Sequence, residues 1–139
     1  MSLSWEELGV GTDLGKQEVG PLTRTDIVRY AGASGDFNPN HHDELAAQAA
    51  GFPSVFAHGM FTAGLLGTYL TGRLGAENVR RLKIQFREQV WPGDVLVFDA
   101  TVAQKREEDG ERVIDLDVTV TRKANGGAAV KGEATFAVP

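Results

Sequence analysis

The chain has 139 residues, a formal net charge of −5 and no cysteine. That length suits one domain around one core. The charge argues against non-specific binding to nucleic acid or a membrane surface, and the lack of thiols excludes disulfides, cysteine nucleophiles and thiolate metal sites. Cysteine-free composition and an opening without a basic, apolar leader fit a cytoplasmic protein. Met1-Ser2-Leu3 fits no element and is set aside as an expression scar.

Ser4 to Leu8 reads as one helical turn, with Ser4 as cap and Glu7 at the capping-box position. Lys16 to Leu22 alternates weakly, as a first strand ending at Gly20-Pro21. Thr23 is a good N-cap for a helix over Arg24 to Ala33, where Ile27, Tyr30 and Ala31 share one face. Gly32 and Gly35 help to stop it. A loop over Asp36 to His42 follows, then Asp43 caps a short alanine-rich helix, Glu44 to Ala50, ended by Gly51 and Pro53.

Val55 to Leu74 is the longest helical candidate. It is short for a membrane span and carries His58. Apolar residues lie almost all round it, so it reads as a helix buried on every side. Gly59, Gly64 and Gly67 lower its helix propensity and suggest close backbone packing.

The second half is strands. Leu82, Ile84 and Phe86 alternate with charged and amide residues; Pro92-Gly93-Asp94 is a turn. A strand over Val95 to Ala103 leads to a charged hairpin turn at Glu107 to Glu111. Ile114, Leu116, Val118 and Val120 alternate with polar residues, Asn125-Gly126 signals a second hairpin, and Val130 to Val138 closes the chain. Helices before long antiparallel strands, with one strongly apolar helix to cover, give an α+β architecture: a sheet packed around a central helix.

Two stretches carry the chemistry. Gly35-Asp36-Phe37-Asn38-Pro39-Asn40-His41 places a carboxylate and an imidazole in a segment that Pro39 bars from ordinary helix. Ala57-His58-Gly59-Met60 opens the long helix, whose first amides lack intrahelical partners and favour negative charge. An acid, a base and a helix N-terminus are the parts needed for proton transfer at an activated carbonyl. Each has a plainer reading: Asp36 as an Asx-turn residue, His41 as a structural histidine, Gly59 as a packing residue, His58 as a group that orients the helix start or bonds backbone. A metal site is the competing use of Asp36, His41, His42, His58 and Asp43, but adjacent histidines rarely share one ion and no H-x-x-x-H pair is present. Nucleophile-elbow and phosphate-loop motifs are absent. Arg80, Arg81, Lys83 and Arg87 form either a solvated face or an attraction for an anionic partner.

At these two stretches the chain resembles the MaoC-like hot-dog family, the (R)-specific enoyl-CoA hydratases and (3R)-hydroxyacyl-thioester dehydratases. The family pattern, G-D-x-N-P-x-H, an acidic residue, then A/V-H-G-M/L, is met by Asp36, Asn38, Pro39, His41, Asp43 and Ala57-His58-Gly59-Met60. Phe86 through Val90 to Pro92-Gly93-Asp94 is similar to the family's F-x-x-x-V-x-P-G-D strand and turn. The position before His41, usually aliphatic in the family, is Asn40 here.

The resemblance implies a single hot-dog domain over residues 1–139, with a curved antiparallel sheet wrapped around the long helix. It implies reversible hydration of trans-2-enoyl thioesters to (3R)-3-hydroxyacyl thioesters, with Asp36 and His41 as the catalytic acid–base pair. Asn38 would hold the loop or a catalytic side chain, and the Gly59 amide would bond the thioester oxygen. The family pattern selects His41 over His42; adjacent residues of an extended segment face opposite ways, so only one of the two can face Asp36. No metal or cofactor is implied beyond the thioester carrier, coenzyme A or acyl carrier protein. The expected partner is a second hot-dog subunit, identical or related; nucleic acid and membrane are not expected partners. A hot-dog thioesterase, and a non-catalytic acyl-binding subunit of a heterodimeric dehydratase, are the alternatives.

Overall fold

The computed structural model describes residues 3–139. Met1 and Ser2 lie outside the described residues. Leu3, set aside in the sequence, takes part in the fold: its side chain packs against the core and its amide donates to the Arg73 carbonyl at 3.2 Å.

Strand β1 (Gln17–Val19) precedes helix α1 (Arg24–Ser34), a 3-10 turn (Pro39–His41), helix α2 (Glu44–Ala49) and the long helix α3 (Gly59–Leu74). Strands β2 (Val79–Phe86), β3 (Leu96–Glu108), β4 (Glu111–Arg122) and β5 (Ala128–Ala137) follow. All pair antiparallel, in the order β1-β3-β4-β5-β2.

Local sequence explains most of these elements. Ser4 and Glu7 make reciprocal backbone bonds of 2.7 and 3.4 Å, although the segment closes as a turn and not a helix. Thr23 and Asp26 form a full capping box on α1. Gly35 ends α1 at φ 74°, a left-handed position that suits glycine. The β3–β4 turn is tighter than expected. Glu107, Glu108 and Glu111 join the strands, leaving Asp109 (φ 52°) and Gly110 (φ 80°) as its two central residues.

The register builds rows across the helix-facing side of the sheet. Phe98, Val120, Val130 and Phe86 form one row; Ala100, Val118, Gly132 and Ile84 form the next. Leu66, Tyr69, Leu70 and Leu74 of α3 pack on these rows to make the core. The other side carries Asp117, Lys131 and Glu133, as a solvated face should.

Three expectations need correction. Helix α3 starts at Gly59: Val55–His58 is extended, held by bonds from Phe56 N to Asn40 O (3.2 Å) and Ala57 N to Val90 O (2.8 Å). Nor is α3 buried all round, since Met60, Gly64, Thr68 and Gly72, spaced i, i+4, form an exposed stripe. The open space beside Gly64, Gly67 and Gly72 means that these glycines are not close-packing devices within this chain; only Gly59 has a tight neighbour, the ring of Phe86. Finally, β2 is an edge strand, so Leu82 and Phe86 face the helix side yet remain exposed.

Candidate active site

The site lies where the loop after α1 meets the start of α3. Asn38 shapes that loop: its amide donates to Asp36 Oδ1 (3.2 Å) and its side chain accepts from the Asn40 amide (3.0 Å). Pro39 at the first position of the 3-10 turn needs no donor there. Asp43 caps α2 by accepting from the Ala46 amide (3.2 Å), and Arg24 ties α1 to α2 through Glu44 and Ser54. Asn38 and Asp43 are therefore loop-building residues in this structure.

The turn buries His41 and leaves Asp36 exposed. His41 Nε2 lies 4.0 Å from Asp36 Oδ2. His41 Nδ1 lies 2.6 Å from the Phe56 carbonyl oxygen. A carbonyl only accepts, so Nδ1 carries the proton, and the Nε2 of the neutral ring presents a lone pair on the side of Asp36. His42 points away, exposed, with Nε2 3.2 Å from the Phe37 carbonyl. The segment is a 3-10 turn and not the extended segment expected, and it is His41 that faces Asp36.

His41 is held below the ordinary imidazole pKa of 6.5. Burial is the largest cause; the Phe56 carbonyl opposes it, His58 and His42 reinforce it, and Asp36 pulls the other way. A neutral, properly oriented imidazole beside an exposed carboxylate is what proton abstraction from water at neutral pH requires.

His58 is the N-cap of α3, makes no side-chain cap bond, and is 2% exposed. Its Nε2 meets the backbone carbonyl of Asp36 at 3.0 Å, the backbone bond expected of it. Its ring stacks on His41 with centroids 3.9 Å apart and 27° between planes. Tyr30 covers the ring from another side at 4.9 Å. The amides of Gly59 and Met60, in the first turn of α3, have no intrahelical partner and lie at the positive end of the helix, and the His58 side chain does not cap them.

Among the described residues, Asp36, His41 and His58 form one group with ligand atoms within 4.8 Å of one another. Two nitrogens of that group, His41 Nδ1 and His58 Nε2, already face carbonyls. The stacked rings aim their remaining lone pairs along nearly parallel planes, whereas one ion needs them to converge. The donor set does not fit a metal without turning a ring.

A cleft of about 280 Å³ opens beside the helix start, lined by Phe56, Gly59, Thr62, Phe86, Val90 and Ala129. Neither Asp36 nor His41 lines it. Of the basic residues on and just after β2, Arg80 is engaged by Glu111 at 2.7 Å and Arg87 bonds Gln85 at 2.9 Å. Sequence reading missed the Phe56 carbonyl, because a backbone acceptor leaves no side-chain signal. Only the fixed extended path of Val55–His58 delivers it.

Residues 7–124 match the model of a protein family described as the MaoC like domain. The chain belongs to this family. An (R)-specific enoyl-CoA hydratase of Rhodospirillum rubrum is 34% identical over 121 residues, covering 85% of this chain and 81% of the relative. A 3-hydroxybutyryl-CoA dehydratase of Methylorubrum extorquens is 36% identical over 106 residues, covering 73% of this chain and 65% of the relative. The solved (R)-hydratase of Aeromonas caviae, 26% identical, covers 96% of this chain and 99% of its own with a TM-score of 0.84. The fold is the hot-dog fold, and the chain is a hydratase/dehydratase of the MaoC-like family. No helix among the described residues is long and apolar enough to cross a membrane.

Proposed function

We propose that this chain, acting as one hot-dog domain, catalyses reversible hydration of trans-2-enoyl thioesters to (3R)-3-hydroxyacyl thioesters, with Asp36 and His41 as its acid–base pair. The observation that carries the reading is the 4.0 Å between Asp36 Oδ2 and His41 Nε2. That gap is too long for a direct hydrogen bond and suits one water oxygen about 2.8 Å from each. Both groups are acceptors, so such a water donates a hydrogen to each and turns its lone pairs outward.

The steps then balance without an outside reagent. The water oxygen bonds the β-carbon while one of the pair takes its proton. The π electrons of the double bond move to the thioester oxygen. The enolate then collapses, and the proton held by the pair goes to the α-carbon. The reverse sequence is dehydration. The Gly59 amide, at the start of α3, is the proposed donor to the developing oxyanion; one such donor is typically worth ~2.7–4 kcal/mol. Asn38 holds Asp36 in the loop and so serves the pair by placement. The carrier is coenzyme A or an acyl carrier protein.

The cleft beside Gly59 and the acid–base pair do not share one cavity in the isolated chain. A second hot-dog subunit, identical or related, would cover β2 and complete the acyl groove. Val79, Leu82 and Phe86 on β2, and Met60 on α3, are exposed apolar side chains that support this reading.

The test is a spectrophotometric hydration assay over trans-2-enoyl-CoAs of rising length, run beside a free-thiol assay. Loss of enoyl absorbance without thiol release is the expected result. Thiol release would instead favour a thioesterase, and an inert purified chain would favour a non-catalytic subunit.

A further inference from the structure

We propose that His58 is a positioning residue for the acid–base pair: its ring, bonded to the Asp36 backbone and stacked on His41, sets the distance between the Asp36 carboxylate and His41 Nε2. The inference rests on the reading of Asp36 and His41 as that pair.

Three observations carry it. First, His58 touches both members through different parts of one rigid ring. Its Nε2 is 3.0 Å from the Asp36 carbonyl oxygen, and its face lies 3.9 Å from the His41 ring. The Asp36 carboxylate itself is exposed and hangs from a loop rich in turn residues, so a clamp on its backbone is the local restraint that reaches it from α3.

Second, the ring's own position is fixed independently. His58 begins α3, its carbonyl accepts from the amides of Phe61 (3.1 Å) and Thr62 (3.4 Å), and Tyr30, itself stacked on Phe61 at 5.1 Å, covers its face. The clamp is thus anchored to the longest helix of the fold.

Third, the histidine carries a polar atom that packing alone does not use. The carbonyl of Asp36 only accepts, so Nε2 holds the proton and the Nδ1 of the neutral ring is a bare lone pair. That atom is buried without a hydrogen-bond partner among the described residues. An apolar ring would stack as well and leave nothing unpaired. The Nε2–H bond is what such a ring lacks.

The test compares His58→Gln, His58→Phe and His58→Asn with the wild type and with His41→Ala, using trans-2-butenoyl-CoA and checking each variant by circular dichroism and thermal melting. Glutamine can bring an amide N–H to the place of Nε2. Phenylalanine keeps the ring without the donor, and asparagine carries a donor too short to reach. The expected result is a kcat of folded His58→Phe and His58→Asn lowered ~10²-fold, the usual scale for misplaced catalytic groups. KM should change little, and His58→Gln should recover most of the kcat. If His58→Phe fails to fold, His58→Asn is read in its place. A folded variant without the donor that keeps wild-type kcat overturns the proposal, and so does a glutamine variant as impaired as the other two. His41→Ala separates the two levels. If it stays active, the acid–base reading itself fails; if it is inactive while His58→Phe is not, only the positioning role fails.

Discussion

His41 Nδ1 lies 2.6 Å from the carbonyl oxygen of Phe56, and that contact decides which nitrogen of the ring is free for chemistry. It joins a residue of the 3-10 turn to an extended segment farther along the chain. The site's protonation state therefore depends on the path of the backbone as much as on side chains.

The first prediction is a pH profile. Burial holds His41 below 6.5, so its lone pair survives to lower pH than in an ordinary histidine. Proton uptake removes the acceptor, so kcat/KM for hydration should be flat near pH 7 and fall only below about pH 6.5. An acidic limb centred above 6.5 would falsify the assignment of that limb to His41.

The second prediction concerns the pair itself. Asp36→Asn and His41→Ala should each lower kcat by the ~10²–10⁴ typical of a general acid or base. His42→Ala should keep most activity, since His42 is exposed and meets only the Phe37 carbonyl. An inactive His42→Ala beside an active His41→Ala would reverse the assignment.

The third prediction separates chemistry from packing at Gly59. A Cβ there would sit 3.1 Å from Phe86 Cε1, so Gly59→Ala must push that ring. Phe86 is 51% exposed and can swing away. The fold should survive. The N–H is retained, but the methyl stands in the cleft between that amide and the thioester, so kcat/KM should drop on the ~10²–10³-fold scale of an oxyanion donor put out of use. Adding Phe86→Leu makes room for the methyl. Activity should stay low in the double variant; recovery would show that the loss came from the displaced ring.

A fourth prediction concerns assembly. Sedimentation velocity should show a dimer or larger, and Leu82→Glu on the exposed edge strand should shift it towards monomer. A wild-type monomer at micromolar concentration would remove the shared groove from the mechanism.

A fifth concerns stability. Asp99 is held above the ordinary carboxylate value of 3.8, first by burial and then by the neighbouring Asp13 carboxylate, and its Oδ1 has no partner among the described residues. A raised folded value means that the folded protein keeps this proton more tightly than the unfolded chain does. The resulting stabilisation is present below pH 3.8 and is lost as pH rises through the folded value. At pH 7 a poorly solvated carboxylate remains. Asp99→Asn should therefore stabilise the protein by roughly 1 kcal/mol at pH 7 and by less in acid. Melting curves across pH would show the two proteins converging as pH falls; a constant gap would count against this account.

Much of this was legible in the chain, for identifiable reasons. Thr23 and Asp26 cap a helix by local bonds, so their spacing alone predicts α1. The G-D-x-N-P-x-H order places Asp36 and His41 in one compact turn, because Asn38 and Pro39 close it locally. What the sequence hid was non-local. Apolar residues at Val55 and Phe56 look like helix, but the amide and carbonyl of Phe56 are taken by Asn40 and by His41, and Val90 claims the next amide. The stripe of Met60, Gly64, Thr68 and Gly72 looks buried because periodicity reports which residues are apolar or small, and not what covers them. Leu82 and Phe86 mislead in the same way, since alternation cannot tell an edge strand from a central one.

The strand order also bears on how the chain reaches this state. Strands β3, β4 and β5 follow one another and pair as neighbours, so each needs only a short loop to close. Strand β2 pairs with β5 alone, and the whole β3–β4 hairpin must be laid down between them in sequence. Closing that larger loop costs more chain entropy, and β2 receives fewer contacts in return. The meander should therefore assemble first, with β2 joining late and its amides exchanging with solvent sooner than those of β4. The strand that carries Phe86 to the helix start then settles after the meander, so refolding protein should regain most of its sheet signal before it regains activity.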